Sequence, residues 1–241
     1  EIPGTGKTRI VVAGAPPPTS IIEQVETVLG WEFIQIYGLT ETAPLLTMSR
    51  STREWDVLPS EERAQLLGRA GAPALGVKIK VTDDGEILAR SNHVLKGYWE
   101  QPEATQEAIR SGWFHTGDGG YIDDENYVSI ADRKKDVIIS GGENVSSIEV
   151  EDALFSHEAV TEAAVIGVPD DKWGETVKAL VVVDSEISEE ELIDHCREKL
   201  AHYKCPTSIE FRDELARTAT GKLQKYKLRA PYWEGQDKQV N

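Results

Sequence analysis

Asp132-Arg133-Lys134-Lys135-Asp136-Val137-Ile138-Ile139-Ser140-Gly141-Gly142-Glu143-Asn144-Val145 is the stretch that decides how this sequence is read. Charged residues lead, an apolar run follows, and a glycine pair closes it. The charges alone describe a solvated link. The run 137–139 is a strand, and two adjacent glycines let a ligand approach the backbone closely. A charge run followed by a β-turn explains the first residues but explains the order of the whole poorly. The pattern also changes here. Upstream it is rich in strands and hairpins; downstream it runs strand, helix, strand, strand, helix, strand. The sequence therefore divides at 133–135, between a β-rich segment at 1–132 and a small α+β domain at 136–241, which is an ordinary domain length.

Working back towards the start, 10–13 is a short buried-strand run that stops at Gly14-Ala15-Pro16-Pro17-Pro18, necessarily a loop. A helical pattern covers 19–29, with Ser20 as candidate N-cap and Ile21, Ile22, Val25, Val28 and Leu29 on one face. Residues 33–37 form a strand leading into Gly38. The segment 47–73 is polar and irregular, with a short helix at Pro59-Ser60-Glu61-Glu62. One hairpin covers 77–90 and turns at Asp83-Asp84-Gly85; a second turns at Asp123-Asp124-Glu125-Asn126. In the downstream half, Ser146 with Glu149 and Ser188 with Glu191 have capping-box spacing, for helices at 147–155 and 189–201. Leu192, Ile193, Cys196 and Leu200 repeat with helical period, and 177–183 is a β-branched strand. The expected fold class is α/β and α+β.

Composition narrows the partners. The sequence has 42 acidic against 26 basic residues, a formal net charge of −16 over 241 residues. Such a surface repels nucleic acid and anionic membrane, both of which recruit Lys and Arg to neutralise phosphate. No apolar run approaches the length of a transmembrane segment, and no signal-peptide pattern opens the sequence. Two cysteines, Cys196 and Cys205, make no disulfide framework, so the expected location is cytoplasmic. The first residue is Glu1 rather than Met, and the sequence reads as a piece of a longer protein.

Four stretches carry chemistry. Tyr37-Gly38-Leu39-Thr40-Glu41 ends a strand in a glycine turn that presents a ring for stacking, a hydroxyl for a phosphate oxygen and a carboxylate for Mg²⁺. Trp113-Phe114-His115-Thr116-Gly117-Asp118-Gly119-Gly120 holds an Asp on a glycine-rich turn, where it can accept from both hydroxyls of a ribose. The glycine pair Gly141-Gly142 is the third. In Thr218-Ala219-Thr220-Gly221-Lys222-Leu223-Gln224-Lys225 a lysine follows a glycine, and its point charge can bridge a carboxylate and a phosphate as negative charge builds. Singly, each also describes something plainer: a surface turn, a hairpin entry, an exposed basic tail.

In this order and spacing, the four resemble the adenylate-forming superfamily of acyl-CoA synthetases, luciferases and peptide-synthetase adenylation domains, over about Arg9 to Arg229. The resemblance implies that Gly14-Ala15-Pro16 is the adenine-side loop, that Tyr37 packs on adenine, that Thr40 contacts phosphate and that Glu41 binds Mg²⁺. It implies that Asp118 and Arg133 hold the ribose, that Lys135 is the hinge, that Gly141 and Gly142 flank the coenzyme A tunnel, and that Lys222 is the catalytic lysine of adenylation. The fold it implies is the C-terminal part of a large β-rich domain with barrel-like hairpins, followed by a small mobile α+β domain. The activity implied is ATP-dependent carboxylic acid–CoA ligation through an acyl-adenylate, with ATP or AMP, Mg²⁺ and coenzyme A as ligands. Gly97-Tyr98-Trp99 and Trp113-Phe114-His115 look like fatty- or aryl-acid–CoA ligases, and Arg53-Glu54-Trp55-Asp56-Val57-Leu58-Pro59 resembles an insertion of a medium- to long-chain acid subgroup. A non-catalytic binding fragment is the alternative.

The sequence also departs from the family pattern. The Ser/Thr/Gly-rich loop ending in Pro-Lys-Gly, which grips ATP phosphates, is absent from these residues, so full activity is expected to need an upstream half. Ala216-Arg217 stands where Pro-Lys is usual, a change expected to loosen the loop of Lys222. Two patterns are decoys. Gly4-Thr5-Gly6-Lys7-Thr8 imitates part of a P-loop, but a P-loop must open a helix and this precedes a strand. His195, Cys196, His202 and Cys205 are metal-ligand types without metal-site spacing. The cluster of Arg217, Lys222, Lys225, Lys227 and Arg229 is either a solvated tail or an attractor for coenzyme A phosphates.

Overall fold

The computed structural model describes residues 2–219 and 221–235 and separates into two units, Glu1–Ala131 and Asp132–Asn241. In the first unit a parallel pair, β1 (Arg9–Val12) and β2 (Glu32–Tyr37), is joined by helix α1 (Thr19–Gln24), whose last turn continues as a wider π turn at Val25–Leu29. Strand β3 (Thr47–Arg50) runs antiparallel beside β2. Helix α2 (Ser60–Leu67) and the short β4 (Ala72–Pro73) complete this four-stranded sheet, ordered β1-β2-β3-β4. Its core is Ile22, Phe33, Trp55, Ala64 and Leu67. Helix α1 starts after Pro18, with φ of −58°, and not at Ser20, because the proline ring already fixes the entry and Ser20 falls inside the first turn.

The hairpin of β5 (Lys78–Val81) and β6 (Glu86–Arg90) opens a second sheet. Helix α3 (Pro102–Ala108), β7 (Ile109–Arg110), the ten-residue β8 (Trp113–Ile122) and β9 (Val128–Arg133) follow, giving the order β5-β6-β8-β7 with β9 also on β8. The expected barrel-like hairpins thus form an open sheet: among the described residues, β5 pairs only with β6.

The second unit begins with the hairpin β10 (Ile138–Ser140) and β11 (Glu143–Val145), turning at Gly141 and Gly142 with φ of 60° and 88°. A two-residue hairpin turn of this kind needs left-handed backbone at both positions, which explains the pair of glycines. Next come α4 (Ser147–Phe155), the long antiparallel pair β12 (Val160–Asp170) and β13 (Gly174–Val183), α5 (Glu189–Lys199), β14 (Ser208–Phe211) parallel to β13, and α6 (Lys225–Arg229). Alternation along the strands sorts their side chains onto two faces. Ala163, Val165, Val177, Ala179 and Val181 join Val150, Leu154, Leu192 and Cys196 beneath α4 and α5. Ala164, Ile166, Val168 and Leu180 face the other way, against Leu215, Leu223, Leu228 and Tyr232.

Ser188 and Glu191 make a complete capping box at the start of α5. At α4, Ser146 Oγ accepts from the Glu149 N–H, but the Glu149 carboxylate takes the Lys204 ammonium on both oxygens, at 2.7 Å each. An ion pair outbids the reciprocal cap there. Among the described residues no helix is long and apolar enough to cross a membrane.

Candidate functional site

Parallel pairing of β1 with β2 sends the segments that follow them off the same edge of the sheet, the carboxyl edge where open α/β sheets receive ligands. After β1 comes the exposed loop Gly14-Ala15-Pro16, with Gly14 at φ of 96°. After β2 comes the turn from Gly38 to Pro44. Gly38 has no alternative: a Cβ there would stand 1.4 Å from the Pro44 carbonyl oxygen. Thr42 Oγ1 ties the turn by donating to Pro44 O at 2.9 Å and accepting from the Leu39 N–H at 3.0 Å. Thr40 is left exposed, with Glu41 half-buried beside it.

Two residues far apart in sequence are joined at this edge. The Tyr37 hydroxyl donates to Asp118 Oδ2 at 2.8 Å. Asp118 is buried, and it lies not in a turn before a hairpin, as expected, but inside β8. Pairing of β6 with β8 slips there: Leu88 faces His115 while Glu86 faces Gly119. The extra residues form a bulge around Thr116-Gly117-Asp118, the device by which a strand re-aims a side chain. Its unpaired backbone groups are satisfied locally. Glu86 Oε1 accepts from the Gly117 N–H at 3.1 Å, Thr116 Oγ1 accepts from the Asp118 N–H at 3.1 Å, and Thr116 donates to Ile87 O at 2.7 Å. The second Glu86 oxygen lies 3.0 Å from His115 Nδ1.

Glu41 has a partner that motif reading missed. The Tyr98 hydroxyl donates to Glu41 Oε1 at 3.1 Å, and burial and then the Glu41 carboxylate push the Tyr98 hydroxyl up from its ordinary value, so it stays a donor. Leu95 N–H donates to Glu41 O at 2.7 Å, fixing the backbone as well. Among the described residues no group of three or more His, Cys, Asp or Glu is placed to hold a metal. Glu41 is a hard oxygen donor outside any such group of three. That fits Mg²⁺ carried mainly by phosphate oxygens and water, which takes only one or two protein carboxylates.

In the second unit, Gly141 and Gly142 form the exposed tip of the β10 hairpin. The Gly141 N–H donates to Trp173 O at 2.9 Å, and a Cβ on Gly141 would come within 2.7 Å of the Trp173 ring. Buried Glu175 accepts from the Ile139 N–H at 3.2 Å. Arg133 and Lys135 lie in a tight turn where the Asp136 and Val137 N–H groups both donate to Arg133 O, at 2.8 and 3.1 Å.

Lys222 is exposed on a small loop in which Arg217 bridges Leu223. Thr218 N–H donates to Lys222 O at 2.8 Å, and Lys222 N–H donates to Thr218 Oγ1 at 3.0 Å. The loop is not loosened at Arg217. Its guanidinium donates to Gly221 O at 2.7 Å and to Glu162 Oε2 at 2.6 Å, clamping the loop to β12. Thr220 lies outside the described residues.

The basic cluster is neither wholly a tail nor wholly an anion trap, since Arg217, Lys225 and Arg229 are committed to carboxylates of their own unit. The decoys resolve plainly. Gly4-Thr5-Gly6-Lys7-Thr8 is a turn that enters β1, at the end opposite the candidate site. A polar cavity of about 530 Å³ there, lined by Lys7, Arg9, Glu26 and Glu32 among others, is remote from the chemistry. Cys196 and Cys205 are buried and free, and burial pushes the Cys196 thiol up to about 12. His195 Nε2 lies 2.8 Å from Ser156 Oγ, and burial holds its pKa below the ordinary value.

Comparison with known proteins bears on the family of the chain. Residues 4–99 match the family model of AMP-binding enzymes, and 149–222 match that of the AMP-binding enzyme C-terminal domain. Among curated relatives, a 2-methylpropanoate–CoA ligase of Humulus lupulus is 42% identical over 240 residues, covering 92% of this chain and 43% of that protein. A peroxisomal benzoate–CoA ligase of Arabidopsis thaliana is 37% identical over 254 residues, covering 94% and 44%. The structure of o-succinylbenzoate CoA synthetase from Bacillus subtilis, in complex with its acyl-adenylate intermediate, superposes with a TM-score of 0.79 at 36% identity, covering 92% of this chain and 46% of that one. The chain spans less than half the length of each of these proteins. It belongs to the AMP-binding, adenylate-forming enzyme family.

Proposed function

We propose that this chain is part of an ATP-dependent carboxylic acid–CoA ligase. In the first half-reaction the acid's carboxylate oxygen attacks the α-phosphorus of ATP and pyrophosphate leaves. In the second, the thiolate of coenzyme A attacks the acyl carbon and AMP leaves. The observation that carries the reading is the hydrogen bond of Tyr37 to Asp118, which draws two motifs 81 positions apart to the edge where the Gly14-Ala15-Pro16 loop also emerges.

In this reading the Gly14-Ala15-Pro16 loop and the Tyr37 ring hold the adenine. Asp118, aimed by its bulge, accepts from the ribose hydroxyls, and Arg133 contributes to the same sugar. Thr40, on the exposed face of its turn, donates to phosphate. Glu41, steadied by Tyr98, is a ligand for Mg²⁺, which offsets phosphate charge when bound. Lys222 neutralises the charge that builds between carboxylate and α-phosphate. The flat, side-chain-free tip at Gly141 and Gly142 admits the pantetheine arm. Lys135 is the hinge at which the second unit turns, so that one adenylate is served from two faces in succession.

The substrate acid is the finer question. A medium- to long-chain fatty acid is suggested by the segment from Arg53 to Pro59, but Trp55 in that segment is buried against Arg69 and Tyr127 and serves packing. Relatives whose names specify 2-methylpropanoate and benzoate support a second reading, a short branched or aryl acid. Unpaired buried cysteines support a reducing compartment such as the cytoplasm, and relatives whose names specify the peroxisome support that compartment as a second reading.

Calorimetry on the purified chain tests the proposal. AMP, or a non-hydrolysable acyl-adenylate analogue, should bind to the wild type and about tenfold more weakly to Asp118→Asn, which turns one ribose acceptor into a donor. Equal binding by the two proteins contradicts the assignment. Absence of any binding by AMP, adenylate analogue and coenzyme A leaves only an interaction-fragment role.

A further inference from the structure

The linker at 133–137 and the loop of Lys222 lie some ninety positions apart in sequence, yet one short helix holds both. At its first residue, the Lys225 ammonium is buried. It pairs with Glu151 Oε1 at 2.7 Å and donates to Ser147 Oγ. Ser147 in turn donates from its backbone N–H to Asp132 Oδ2 at 2.8 Å, and its hydroxyl donates to the same oxygen. The other Asp132 oxygen accepts from the Arg133 N–H at 2.8 Å. Burial opposes the charge of Lys225, but Glu151 and Asp132 hold its ammonium above the ordinary lysine range. At the last residue of α6, Arg229 donates to Lys135 O at 3.1 Å and faces Asp136 Oδ1 at 3.6 Å. The helix therefore grips the linker on both sides, through Asp132 and through Lys135. Only Leu223 and Gln224 separate it from Lys222, and the Gln224 N–H donates to Ala216 O at 2.8 Å to close the base of the loop.

We propose that Lys225 and Arg229 are positioning residues for Lys222, coupling its loop to the 133–137 linker so that the two move as one piece. Rotation about the backbone of Lys135 carries its carbonyl along with the residues that follow, so the Arg229 bond is kept and the lysine loop turns with the linker. The chain of bonds from Lys225 through Ser147 to Asp132 spans the turning point and favours one setting. This rests on the ligase reading for its purpose, but the coupling itself is independent of any ligand.

Hydrogen exchange on the 241-residue chain tests the coupling. In Arg229→Gln the Asp136, Val137 and Lys222 amides should together exchange about tenfold faster or more, the loss expected for a charge-assisted hydrogen bond that opens locally. Amides of the β12 and β13 ladder should be unchanged, and Arg229→Lys should restore most of the protection. The double variant Lys225→Met with Glu151→Gln, which removes the Glu151 charge together with its partner while Asp132 keeps its Ser147 and Arg133 donors, should loosen the same amides. Faster exchange at the linker with an unchanged Lys222 amide overturns the proposal, and so does uniform loosening of the whole unit. Lys222→Ala should leave linker protection intact. Its effect on adenylation tests the ligase reading separately.

Discussion

A single methyl group at Gly38 would meet the Pro44 carbonyl, and neither side can give way because both are backbone. Gly38→Ala should therefore cost more than about 4 kcal/mol or abolish folding of the first unit, as read by thermal unfolding. The thiols make an opposite prediction. Cys196 is fully buried, with its pKa pushed up to about 12, and burial also raises Cys205. A disulfide reagent at pH 8 (~0.5 unit below a free thiol's pKa) should label neither in the native protein and both after denaturation; fast native labelling would contradict the buried placement. At this scale the sequence marks residues inside motifs and leaves their supporting contacts unmarked. Tyr37, Glu41 and Asp118 announce themselves by neighbouring glycines and hydroxyls. The supporting roles of Tyr98, Glu86 and Glu162 are not announced, even with a glycine beside Tyr98 and Glu86, because each acts on a residue 31 to 57 positions away and nothing local marks the far end of such a contact.

At the scale of elements, burial decides. Leu154 on α4 is fully buried in the core under the β12 and β13 pair. Leu154→Ala should lower stability by about 2–5 kcal/mol in denaturant unfolding, through lost burial and an unfilled cavity. The turn between β8 and β9 carries a pH-dependent element. Burial works against the charge of Asp123, but N–H donation from Tyr127 and the Arg69 guanidinium hold its carboxyl below the ordinary 3.8. A lowered folded-state pKa means that the unfolded chain binds the proton first. The stabilisation is thus present above 3.8 and is lost as pH falls through the folded value. Asp123→Asn should be less stable than wild type near neutral pH, and the two should converge as pH falls through the lowered folded-state value; parallel curves would show that the carboxylate contributes nothing. Hairpins, the β1 to β2 unit and both capped helices were legible as hydrophobic period and turn chemistry. The bulge in β8 was not, since Thr116-Gly117-Asp118 reads as a turn until its partner strand is known.

At the scale of the molecule, the division near the charged stretch was visible as a change of pattern, and the two units occupy 1–131 and 132–241. Family membership came from four motifs in order, each ambiguous alone. Lys222 carries the proposed first half-reaction. In the longer ligase of which this chain is proposed to be part, Lys222→Ala should reduce acid-dependent pyrophosphate release by about a hundredfold or more, the scale of removing a charge-stabilising group from a transition state. Thioester formation from preformed acyl-adenylate and coenzyme A should stay within a few-fold of wild type. Measuring both half-reactions on that one variant decides the matter: selective loss of the first is expected, and equal loss of the two would rule out an adenylation-specific role for Lys222.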